Sequence, residues 1–180
     1  MEYKYLLELL RSGLYSQFFA DFKNAAIPFL DKDTYGRSTL ENSSFIASSK
    51  NPNEKIHGRG FVARLSGSTI EFISIWKLMF FGKELFKTDA AGKLIFNPTP
   101  AIPKYLLKKD EGSNVYTVET TMLGTTKVVY EMDKEADYIP GSYDITAIEV
   151  EYVDESLTGI IPEKIRDRQA KKVTIKMTPK

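Results

Sequence analysis

An α+β fold, with helices first and an antiparallel sheet after them, is what the order of the hydrophobic periods predicts. Stripes of apolar residues at helical spacing, the last ending at Phe80, occupy the first half, the period becomes alternating after Phe86, and Pro98, Pro100 and Pro103 follow as a Pro-rich crossing. The chain of 180 residues is 42% hydrophobic and 27% charged, enough apolar material for one globular domain or two small ones. The expected division is a helical segment with a long ordered loop over 1–90, a Pro-rich linker over 91–104 and an antiparallel β domain over 105–180.

Tyr3, Leu6, Leu7, Leu10 and Leu14 lie on one helical face, and Phe18, Phe19 and Phe22 continue beyond Ser12-Gly13, so two short helices are expected. Pro28 ends the second, because its ring and missing N–H do not fit a helix interior. From Asp31 to Leu65 Gly, Ser, Asn and Pro accumulate without a sustained period, while Tyr35, Phe45, Ile46 and Phe61 supply anchors, which predicts a long but ordered loop. Ser68-Thr69-Ile70-Glu71 has the form of a capping box, Phe72, Ile75, Trp76, Met79 and Phe80 form one helical stripe, and Gly82 is a stop signal. Leu94–Phe96 precedes the Pro-rich crossing, which reads as an extended linker; Val115–Thr121 and Thr126–Glu131 read as a hairpin, and Ile148–Tyr152 and Val173–Met177 as half-buried antiparallel strands.

Several function classes are excluded early. With 25 Lys+Arg against 24 Asp+Glu and no long basic run, nothing favours electrostatic capture of nucleic acid or of an anionic membrane. The absence of Cys removes disulfides, thiolate nucleophiles and cysteine-ligated metals, and a single His with no calcium-type oxygen loop leaves a metal site without support. The apolar stretch Phe72–Phe86 is broken by Lys77, Lys83 and Glu84, short of the about 20 residues a spanning helix needs, so no transmembrane segment is expected. The first residues carry no secretory signal pattern, and the cytoplasm is the expected compartment.

Three constellations can carry chemistry. The first is Arg64-Leu65-Ser66-Gly67-Ser68-Thr69, where small residues at a helix start offer free N–H groups and the positive end of the macrodipole to an oxyanion; the same residues can equally serve as a cap and a turn. The second is His57-Gly58-Arg59-Gly60, whose imidazole and guanidinium, with Arg64, suit phosphate, carboxylate or sugar hydroxyls, or else satisfy backbone carbonyls. The third is Glu41-Asn42-Ser43-Ser44 beside Phe45, a mixed polar and aromatic surface of the kind that holds sugars, or a loop bonding its own backbone. Asp31, Asp33, Glu149 and Glu151 read as solvated carboxylates.

Tyr35-Gly36-Arg37-Ser38, Leu40-Glu41-Asn42-Ser43-Ser44-Phe45-Ile46 and the run His57 to Thr69, followed by Glu71-Phe72, resemble the C-terminal part of glycoside hydrolase family 94, the inverting phosphorylases of β-linked glucosides that include cellobiose phosphorylase and the β-1,2-oligoglucan phosphorylases. The likeness is most specific over 35–86; Leu123 to Tyr130 and Ile165 to Met177 are similar, more loosely, to the β-sandwich that follows the helical barrel. The resemblance implies that the N-terminal helices are part of an (α/α) barrel and that the tail is a jelly-roll-like antiparallel sandwich. It implies phosphorolysis to glucose 1-phosphate with inorganic phosphate as substrate and no cofactor. A family Thr-Gly pair before a late barrel helix matches Ser66 and Gly67, with Ser68 and Thr69 adjacent, and marks them as phosphate-binding.

By their own chemistry His57, Arg59, Arg64, Glu41 and Asn42 are candidate substrate-binding residues. The family's Arg and His partners of phosphate lie farther upstream and do not match His57 and Arg59, whose role stays open, and no residue matches the family's general acid, which lies well upstream of the matching segment. The expectation is a fragment, split subunit or truncated descendant that does not turn over substrate alone. Its expected partners are a β-glucan or oligosaccharide, phosphate, and the remainder of the enzyme or a second copy. Two other readings compete: a non-catalytic carbohydrate- or protein-binding module, and a structural remnant that oligomerises through exposed helical faces.

Overall fold

Helices α1 (Glu2–Arg11) and α2 (Tyr15–Ala25) bury most of the stripe that their spacing predicts, Tyr3, Leu6, Leu7 and Leu10 from the first and Phe18, Phe19 and Phe22 from the second, and Leu9, outside the predicted stripe, is buried as well. Leu14 stays more than half exposed, and Pro28 sits in a short 3₁₀ turn, Ile27–Phe29, that ends α2. The computed structural model of the chain describes residues 2–41, 43–63 and 67–180. They divide into two compact units, Met1–Lys77 and Leu78–Lys180, and the Pro-rich stretch lies inside the second.

The described residues of the segment expected as a long ordered loop contain secondary structure that the residue pattern hid. Helix α3 (Lys32–Tyr35) is followed by a β-hairpin of β1 (Ser43–Ile46) and β2 (Gly60–Ala63), paired antiparallel with Phe45 opposite Phe61 and Ile46 opposite Gly60. These strands carry Ser, Gly and an exposed aromatic pair, so alternation does not announce them.

Helix α4 (Gly67–Phe81) begins one residue before the expected cap, which places Ser68 in the first turn and not at the N-cap. In the first unit its Phe72 ring packs on Tyr3, Phe22 and Trp76, while Ile70 and Ile73 remain 69% and 63% exposed, so the helix is apolar on more than its core side.

In the second unit Met79, Phe80 and Phe81 are buried, and Gly82 in the left-handed region closes the helix by donating its N–H to the Leu78 carbonyl. Thr99 and Ala101 donate their N–H groups to the carbonyls of Phe81 and Met79, so the Pro-rich crossing satisfies carbonyls that a helix end leaves open. A two-stranded ribbon, β3 (Phe86–Thr88) with β4 (Leu94–Phe96), precedes a five-stranded sheet. The sheet is built from β5 (Lys108–Lys109), β6 (Tyr116–Met122), β7 (Thr126–Met132), β8 (Tyr143–Tyr152) and β9 (Ala170–Pro179), in the order β5-β6-β7-β9-β8.

The chain is therefore mixed α+β with mostly antiparallel sheets, and its five helices among the described residues form no closed barrel. The expectation of purely antiparallel pairing is corrected at one place: β7 and β9 run parallel, with Tyr130 beside Ile175. The return from β8 to β9 carries helix α5 (Pro162–Arg166), and β9 inserts between β7 and β8. Val128, Tyr130, Met132, Val173, Ile175 and Met177 make the buried face. The opposite face carries ion pairs across strands, Lys127–Glu119 at 2.9 Å, Lys172–Glu151 at 3.3 Å and Lys176–Glu149 at 2.7 Å, so Glu149 and Glu151 are solvated as expected. No helix among the described residues is long and apolar enough to cross a membrane.

Candidate functional site

The first unit gathers most of the singled-out residues around α3. Asp31 caps this helix, its carboxylate accepting from the Thr34 N–H at 2.8 Å and from the Thr34 hydroxyl at 2.6 Å, and these bonds hold its pKa below the usual carboxylate value. Gly36 ends the helix at φ +68°, a left-handed conformation that glycine adopts without a Cβ penalty. Tyr35, 1% exposed, donates its hydroxyl to the Glu41 carbonyl at 2.7 Å and accepts from Ser43, from its hydroxyl at 2.6 Å and its N–H at 3.1 Å. The phenol thus bridges the loop and the first residue of β1, and Ser43 in turn pairs with Ala63.

Glu41 is exposed and held by Arg37, with guanidinium nitrogens 2.8 and 2.9 Å from its Oε2. Arg59 lies against Gly36, the residue before Arg37. Arg59, just before β2, and Arg37 therefore both lie next to Gly36, the residue that ends α3. His57 does something else: its Nε2 lies 2.7 Å from the Asn51 carbonyl and closes the loop joining β1 to β2. That is the plain alternative weighed for this imidazole, a ring satisfied by backbone.

Of the residues marked for phosphate, Gly67, Ser68 and Thr69 occupy the first turn of α4, where helical N–H groups have no acceptor within the helix. Thr69 is half-buried and lines a groove of about 290 Å³ with Tyr3, Ile27, Thr39, Leu40 and Phe72. Burial holds the Tyr3 phenol above its usual pKa despite the bond it accepts from the Ile27 N–H at 3.2 Å, so it is a neutral group on an apolar wall. The sequence expectations at Asn42, Arg64 and Ser66 lie outside the described residues. Among the described residues, no group of three or more His, Asp or Glu side chains stands close enough to hold a metal ion.

Two features escaped the reading of residues. Arg37, which neutralises Glu41, had only its spacing of four from that residue as a signal. Val62 sits at φ +57°, a conformation that a β-branched side chain rarely takes, and nothing in its residue type gives this away. No family model matches the chain, and no curated protein matches it.

Proposed function

We propose that the chain is the C-terminal portion of an inverting phosphorylase of β-linked glucosides. In this reading it contributes the phosphate-side loop at the start of α4, and the general acid belongs to the remainder of the enzyme. Helices α1, α2 and α4 then belong to an (α/α) barrel, and the β-rich unit is the tail that follows it. The observation that carries the reading is the start of α4 at Gly67, which sets Gly67, Ser68 and Thr69 in a first helical turn beside a groove. The run of resembling residues from Tyr35 to Phe72 supports it, and so does the exposure of Leu40, Ile70 and Ile73, apolar side chains of a kind that further barrel helices bury.

The test is a thermal-shift titration with inorganic phosphate, with and without short β-glucans, on the wild-type chain and on Gly67→Val. A phosphate-dependent rise in Tm, lost in a folded Gly67→Val variant, is expected. Equal phosphate response in both proteins would sink the reading. A second reading, a non-catalytic carbohydrate- or protein-binding module, draws on Phe45 and Phe61, which face each other across the hairpin at 63% and 41% exposure. Glucan binding that ignores phosphate and survives Gly67→Val would select it.

A further inference from the structure

We propose that Arg59 is an oxyanion-binding residue, its guanidinium presented by the C-terminal end of α3 to the oxygens of a phosphate or a carboxylate. The tripeptide Gly58-Arg59-Gly60 lies against Thr34, Tyr35 and Gly36 residue by residue. A Cβ on Gly58 would stand 2.7 Å from the Thr34 methyl, and one on Gly60 would run into the Tyr35 ring. On Gly36 it would stand 3.2 Å from Arg59 Nε and 3.5 Å from Nη2. The two flanking glycines let the strand approach α3, and the third lets the guanidinium lie against bare backbone.

The exposed side chain lies so near the Gly36 backbone that an added Cβ would press on its guanidinium. Its charge is not spent within the fold. Arg37 next door is taken by Glu41, and the Asp31 carboxylate is occupied as the cap of α3 by both donors of Thr34. Among the described residues, Arg59 has no carboxylate within ion-pair distance and no acceptor for a side-chain hydrogen bond. A guanidinium offers five N–H donors in a planar fork that matches the paired oxygens of phosphate and carboxylate. The inference concerns a candidate substrate-binding residue but does not rest on the phosphate-side turn of α4, because it engages neither Gly67 nor Thr69.

The experiment follows the arginine Nε–Hε resonances of the whole isotope-labelled chain by NMR, with the Arg59 signal identified by its disappearance in Arg59→Lys. Inorganic phosphate and malonate are titrated separately at constant ionic strength. A saturable shift at Arg59, larger than at Arg11, which already pairs with Glu8, is expected in at least one arm, and the stronger arm identifies the oxyanion. Gly36→Ala, which presses on Arg59 Nε and strains a left-handed residue, weakens the response about tenfold. Because that variant can also loosen α3, Arg59→Lys, at an exposed position, serves as the second comparison and weakens oxyanion binding measured by calorimetry to the same degree. An Arg59 shift that is linear in anion concentration, or no larger than that of Arg11, overturns the proposal and leaves Arg59 as a cation facing the carbonyl end of a helix.

Discussion

Gly60 sets its bare Cα against the ring of Tyr35, so closely that an added Cβ would overlap the ring and lie 2.6 Å from Ser43 Oγ. Its backbone is ordinary extended strand, so the demand for glycine here is steric and not conformational. Gly60→Ala is expected to destabilise the chain by about 1–3 kcal/mol, as overpacking of a filled core does. The measurement is the urea midpoint, combined with Tyr35→Leu in a double-mutant cycle. Once the ring is gone the alanine costs less, giving a coupling of about 0.5 kcal/mol or more; strict additivity would show that the two residues do not collide.

The phenol of Tyr35 has a separate role from its ring. Tyr35→Phe keeps the packing but removes the donor to the Glu41 carbonyl and leaves the Ser43 N–H without the acceptor it has at 3.1 Å. The expected loss is about 1–3 kcal/mol, the range for leaving a buried polar group unsatisfied. Tyr5→Phe breaks a hydrogen bond of similar length, 2.8 Å to Asp21, but at a half-exposed side chain where water replaces the partner. Its effect is expected to be no larger than that of an ordinary surface substitution, and clearly smaller than that of Tyr35→Phe. Equal losses in chemical denaturation would refute the role assigned to Tyr35.

Val62, at φ +57°, stands between Phe61 and Ala63, which pair regularly with Phe45 and Ser43. A β-branched residue in this region costs about 1–3 kcal/mol, and a glycine there gives back about 0.5–1 kcal/mol through its freer unfolded chain. Val62→Gly is therefore expected to stabilise the chain by about 1 kcal/mol, seen as a higher urea midpoint, while Val62→Ile gives no gain. Destabilisation by the glycine would mean that the Val62 side chain contributes more by contact than its backbone costs.

The elements legible in the sequence are those whose apolar period is continuous. The stripes Tyr3/Leu6/Leu10 and Phe72/Ile75/Met79, and the strands around Val128 and Ile175, each repeat long enough to fix both type and buried face. The hairpin was not legible, because β1 and β2 are four residues each and present aromatic side chains to solvent. Nor was the parallel pairing of β7 with β9, since alternation reports which face a residue is on and not which way its neighbour runs. At the candidate site the glycines of 58–60 were visible as a close-approach signal, but what approaches is α3, and only the fold could bring Gly36 under Arg59.

The cap of α3 ties stability to pH. The Thr34 hydroxyl first, and the Thr34 N–H second, hold the Asp31 carboxyl below its ordinary value of 3.8. A carboxyl whose pKa is lowered on folding contributes stability that is fully present above that ordinary value and is lost as the pH falls through the folded one. Asparagine at this position keeps the accepting oxygen and the capping geometry but does not titrate. Asp31→Asn is therefore expected to match the wild type in Tm near neutral pH and to lose less Tm below pH 3.8, where Asp21 and Asp154, also lowered by hydrogen bonds, continue to titrate in both proteins. Melting curves collected from neutral pH down through the carboxylate range decide it. Parallel curves for the two proteins would mean that the charged form of Asp31 gains nothing from Thr34, and the cap would then be worth no more ionised than neutral.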